Sequence, residues 1–142
     1  MILSFQFSTI TVERKSQPTG NVRVQHNLNI DSVKERVLGG FGKQKSLEVA
    51  FTFRVAYEPS LGNIILTGSV VYGGDAATLL KVLKGWETTK KVPAEASREI
   101  VNTILTRCNI KSLGLAEDVS LPYHMPLPQI TSSKPNYSDY IG

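Results

Sequence analysis

The sequence predicts an α+β domain of four strands followed by helices. Three observations carry that reading. Residues of period two, rich in Val, Ile, Phe and Thr, fill most of the first 72 positions. Apolar residues at spacings of three and four take over after Asp75. A short turn at 58–63 makes the last two strands an antiparallel hairpin.

Residues 2–14 form the first strand. Leu3, Phe5 and Phe7 alternate with Ser4, Gln6 and Ser8, then the apolar phase moves to Ile10 and Val12. A one-residue phase change is what a β-bulge produces. A turn cluster at 16–20 leads to a second strand, with Val22, Val24, Leu28 and Ile30 on its apolar side. His26 falls on that side too, as a partly buried, hydrogen-bonded ring. Residues 31–38 fit two readings. Asp31, Ser32 and Glu35 have capping spacing for a short helix, and the same residues also continue the strand.

The stretch GGFGKQKS at 39–46 is a loop. It lacks the G-x-x-x-x-G-K-[ST] order of a phosphate cradle, since Leu38 stands where the first Gly belongs and Gln44 follows Lys43. Leu47, Val49, Phe51, Phe53, Val55 and Tyr57 give the cleanest alternation of the chain. After a tight turn at 58–63, residues 64–72 form a fourth strand. It is apolar on both faces, at Ile64, Ile65, Val70 and Val71. One face belongs to the helices. Cover for the other suggests a subunit interface, hence a homo-oligomer.

Asp75 is placed to cap a helix carrying Ala76, Leu79, Leu80 and Leu83 up to Trp86. Pro93 opens a second helix, a position where proline is favoured. Ile100, Val101, Ile104, Leu105 and Cys108 make its stripe, which sets the single cysteine inside the core as an inert thiol. Glu117 and Asp118 suit the start of a further helix, where the dipole welcomes negative charge. Pro122, Pro126 and Pro128 then force an extended path. Leu121, Tyr123, Met125 and Leu127 lie among them, and this segment either closes the core or lines a groove. Residues 1–130 make one domain, and residues 131–142 read as a flexible tail.

The chemistry that composition supports is thin. One Cys and two His make neither an internal disulfide nor a metal set, so no metal and no cofactor is expected. His26 and His124 stand near no nucleophile motif, so catalysis is not expected. No apolar run is long enough for membrane insertion, and the N-terminus lacks the features of a secretory signal, so a cytoplasmic protein is expected. The net charge is +4. Its excess lies in the residues up to and including Arg54, with eight basic residues against four acidic, and leaves a nucleic-acid-binding module as an alternative. A non-enzymatic scaffold subunit is the other.

Three pieces of the chain carry a resemblance. They are the hairpin FTFRVAY at 51–57 with IILTGSVVYG at 64–73, the helix opened by Val92 and Pro93 and running through EIVNTIL at 99–105, and Leu113-Gly-Leu115 followed by Leu121 and Pro122. In this order the sequence resembles the SecB-type export chaperone family, and more closely the short archaeal proteins of SecB-like fold. The resemblance implies a four-stranded antiparallel β-sheet with the C-terminal helices packed on one face, dimers or tetramers, and long apolar grooves that hold unfolded or extended polypeptide. It implies Trp86, Leu121, Tyr123, Met125 and Leu127 as the groove residues here.

Overall fold

The computed structural model describes residues 1–18, 20–38 and 44–128. Four strands, β1 (Ile2–Arg14), β2 (Arg23–Leu38), β3 (Gln44–Glu58) and β4 (Gly62–Gly73), precede two helices, α1 (Ala76–Thr89) and α2 (Ala94–Asp118). The strands pair in the order β1-β4-β3-β2, and every pairing is antiparallel. Both helices lie on one face, as the resemblance implies. The glycine-rich loop at 39–43 and the tail at 131–142 fall outside the described residues.

β3 shows why the sheet has one dry face. Its alternate residues Leu47, Val49, Phe51, Phe53, Val55 and Tyr57 are all buried. Opposite them in β4 stand Tyr72, Val70, Gly68, Leu66, Ile64 and Gly62. At ~25 cal/mol per Å², burial of such side chains is the main stabilising contribution to this layer. The other face carries small and polar residues, among them Gln6, Thr9, Thr11, Thr52, Arg54, Thr67 and Ser69. Of the two apolar residues that β4 sends there, Val71 is already buried within the chain.

The bulge expected in β1 is present. The β1–β4 register slips between Phe7 and Thr9, so Phe5, Phe7, Ile10 and Val12 all oppose the core-facing side of β4. Residues 31–38 continue β2, which decides between the two readings. The register slips again between Ile30 and Ser32. Asp31 therefore does not cap a helix. Its carboxylate accepts hydrogen bonds from Asn29 Nδ2 (2.7 Å) and Thr52 Oγ1 (2.6 Å).

Asp75 stands at the N-cap of α1, although its side chain makes no capping hydrogen bond. α2 is longer than the sequence suggested. Its buried residues Ala96, Ile100, Ile104, Cys108, Ser112 and Ala116 repeat every four positions. At ~1.5 Å per residue the helix is roughly 37 Å long, close to the roughly 40 Å span of β4 and shorter than the other strands. Glu117 and Asp118 consequently end a helix instead of starting one. Gly114 lies inside α2, and the apolar stripe continues past it to Ala116, which is how the helix absorbs a residue that ordinarily weakens one. Among the described residues no helix is long and apolar enough to cross a membrane.

Candidate functional site

α2 leaves a trench on each flank. On the β2 side, the end of α1 and the start of α2 converge over Asn29 and Ile30. The cavity there measures about 380 Å³ and is lined by Trp86, Lys90, Lys91, Val92, Ser97, Ile100 and Val101. That volume falls in the range of ligand-holding clefts. Local sequence builds it. Lys90 takes a left-handed conformation (φ 56°) and donates its backbone N–H to the Trp86 carbonyl at 2.9 Å, which stops α1. Pro93 then begins α2 two residues after Lys91. Gly85 permits the closeness, because a Cβ there would lie 3.3 Å from the Lys91 carbonyl and from the Pro93 ring.

Trp86 is half-buried at this junction, and the Lys90 ammonium sits 5.4 Å from its ring centroid, in cation–π range. A second cavity of about 380 Å³ opens on the β1 flank, lined by Phe7, Thr106, Arg107, Ile110 and Lys111. The Arg107 guanidinium lies 5.5 Å from the Phe5 ring centroid, and Ile110 is exposed.

The proline-rich segment splits into inward and outward residues. Leu121 is 5% exposed and its Cδ1 packs beside Gly62, so it closes the core below the start of β4. Its backbone N–H donates to the Ala116 carbonyl at 2.8 Å. His124 is also buried, at 6% exposure. Its Nε2 lies 2.8 Å from Asn109 Oδ1 of α2, and its ring meets those of Phe53 and His26. Burial, and then the neighbouring His26, push the His124 pKa below its ordinary value. His26 itself is exposed and makes no hydrogen bond among the described residues, contrary to the ring expected from its strand position. Tyr123, Met125 and Leu127 remain exposed.

Of the five residues singled out in the sequence, Trp86 lines the β2-side cavity, Tyr123, Met125 and Leu127 offer exposed surface, and Leu121 is enclosed. Trp86 and the segment pinned by His124 both lie over β2. Only four strand positions separate Ile30, at the cavity, from His26, at the segment. That is about 13 Å of strand. Sequence reasoning passed over Ile30, Val92 and Val101, which look like ordinary core positions, and Lys90 and Lys91, whose doublet before Val92 and Pro93 was visible. It also passed over Ile110, an apolar residue two positions off the buried row of α2.

Cys108 is fully buried and its thiol is pushed up to about 12 by burial, so it holds its proton at neutral pH. Among the described residues no group of three His, Cys, Asp or Glu is placed to hold a metal.

No protein-family model and no curated protein matches this chain by sequence. A solved structure does match in shape: the SecB-like chaperone Rv1957 of Mycobacterium tuberculosis, in complex with a ChAD peptide from the Rv1956 HigA1 antitoxin. The TM-score is 0.55 at 8% identity, over 92% of this chain and 89% of that one. A four-stranded antiparallel sheet with two C-terminal helices on one face, matched over nearly the whole of both chains, gives this protein the SecB-like fold.

Proposed function

We propose that this protein binds extended polypeptide, as a holdase-type chaperone, in the trench between α1, α2 and β2. The observation that carries the reading is the cavity at Trp86 beside Ile30 of β2, four strand positions from His26, whose ring meets His124 of the segment that carries the exposed Tyr123, Met125 and Leu127. Such a trench gives an extended chain many weak apolar contacts without demanding one sequence. Trp86 and Tyr123 add large area with a polar edge. The shared fold supports the reading, because the mycobacterial protein of that fold was solved with a peptide bound.

The role is non-catalytic, with Cys108 and His124 committed to packing. It includes self-association into a dimer or tetramer, through surface that the helices leave open. The alternative of nucleic-acid binding draws less support. Arg23, Arg36 and Lys45 of the basic first half pair with Glu58, Glu48 and Glu35, and this mutes the charge that would attract phosphate.

The test is light scattering of a denatured client diluted into buffer. The protein at stoichiometric ratio should suppress aggregation, and Trp86→Ala, checked for native circular dichroism, should suppress it less. Unabated aggregation with the wild-type chain sinks the reading.

A further inference from the structure

We propose that the Trp86 cavity selects client segments in which an acidic residue lies beside an apolar one, with Lys90 and Lys91 as the receiving cations. This rests on the polypeptide-binding reading above and names the class of client that it leaves open.

The cavity is apolar at Ile30, Trp86, Val92, Ile100 and Val101, and among the described residues the charged side chains that line it are Lys90 and Lys91. Both are exposed, and among the described residues neither has a carboxylate partner. Arg23, Arg36 and Lys45, by contrast, face Glu58, Glu48 and Glu35. Glu87, the neighbour of Trp86 in α1, is exposed and does not line the cavity.

Geometry couples the charge to the apolar surface. The Lys90 ammonium is held 5.4 Å from the Trp86 ring centroid. A client side chain that packs against Trp86 therefore brings its neighbours within reach of that ammonium. A carboxylate at the adjacent position gains an ion pair beside a low-dielectric wall, whereas a client Lys or Arg meets like charge. Complementarity of this kind acts mainly through association rate and through rejection of wrong partners. The trench on the opposite flank of α2 repeats the pattern, with Phe7 and Ile110 accompanied by Arg107 and Lys111 and, among the described residues, no acidic lining residue.

The experiment uses the full chain and its single tryptophan, Trp86, as the reporter. Two synthetic peptides share the same Leu, Val and Ile positions. One has Asp between them, the other Lys, and neither contains Trp or Tyr. Each is titrated while Trp86 emission is followed, at low and at high salt. The acidic peptide should bind roughly tenfold more tightly at low salt, the scale expected of two exposed cations. High salt should shrink the difference. Lys90→Gln/Lys91→Gln should remove the preference while leaving both peptides bound, and Lys90→Glu/Lys91→Glu should reverse it. Equal binding of the two peptides, or tighter binding of the lysine peptide, overturns this inference and leaves the polypeptide-binding reading standing. No change in Trp86 emission with either peptide overturns the reading beneath it.

Discussion

Gly68 sits in the middle of β4 on the core-facing side, and replacing it with Ala should cost stability. A Cβ there would collide with the Gln6 carbonyl oxygen and lie 3.0 Å from the Phe7 Cα and 3.0 Å from the tip of the Phe51 ring. Two of those three atoms are backbone of β1, which cannot retreat without opening its ladder with β4. The third belongs to a packed aromatic group. Phe5 and Phe51 stack with centroids 5.5 Å apart, and Phe7 meets Phe5 edge-on at 5.0 Å. The missing side chain of Gly68 is the space those rings use. Overpacking of a fixed core costs about 1–3 kcal/mol. With a backbone clash added, Gly68→Ala should sit at the upper end, and the smaller entropic benefit of Ala over Gly in the unfolded chain does not offset it. For a chain of this size about 3 °C of Tm accompanies each kcal/mol, so the midpoint should fall by roughly 6–9 °C. Gly114→Ala is the internal control. It lies in α2 with nothing within 4 Å of a built Cβ. There Ala should raise stability by about 0.5–1 kcal/mol. Thermal and urea unfolding of both variants checks the pair. A Gly68→Ala protein as stable as wild type would refute the packing argument.

The remaining predictions concern buried groups. His124 is buried and its folded-state pKa lies below the ordinary 6.5, so the folded chain binds fewer protons than the unfolded one. Stability from this group is complete above that ordinary value and is lost as pH falls below it towards the folded pKa. Urea midpoints measured from pH 7.5 to 5 should decline, and His124→Gln, which can keep a hydrogen bond to Asn109, should show a shallower decline. Cys108 should resist thiol reagents in the native protein and react on unfolding, because it is fully buried and its thiol is pushed up to about 12. Rapid native labelling would contradict the placement of α2. Ile104→Ala, at the centre of the buried row of α2, should cost about 2–5 kcal/mol by urea unfolding.

The fold was legible wherever one rule operated alone. The alternation of Leu47 through Tyr57 predicted a dry face, and each of those residues is buried. The phase change after Phe7 predicted a bulge, and the register slips there. The same signal was present in β2, where Ile30 is followed by Val33 and Val37 on the opposite parity. It was obscured because Asp31, Ser32 and Glu35 also match helix-capping spacing, and only pairing with β3 decides between the two. The end of α2 was hidden by Gly114 and by an acidic pair that suits a helix start as well as an exposed end. In the proline-rich segment, sequence marked the apolar residues but not their directions. Leu121 and His124 turn inward because Gly62 and Asn109 receive them, and both partners are remote in sequence. Trp86 was marked by its type, and it lines the β2-side cavity. The lysines beside it were not marked, since a basic doublet at a helix end ordinarily serves the dipole.

The central claim is that extended polypeptide lies along β2 between Trp86 and the segment pinned by His124. A photoreactive extended peptide, cross-linked to the full chain and mapped by mass spectrometry, tests it most directly. The account predicts cross-links at Ile30, Trp86, Val92 and Val101, and at Tyr123, Met125 or Leu127. Cross-links confined to the open sheet face, at residues such as Thr11, Thr52 or Ile65, would contradict it.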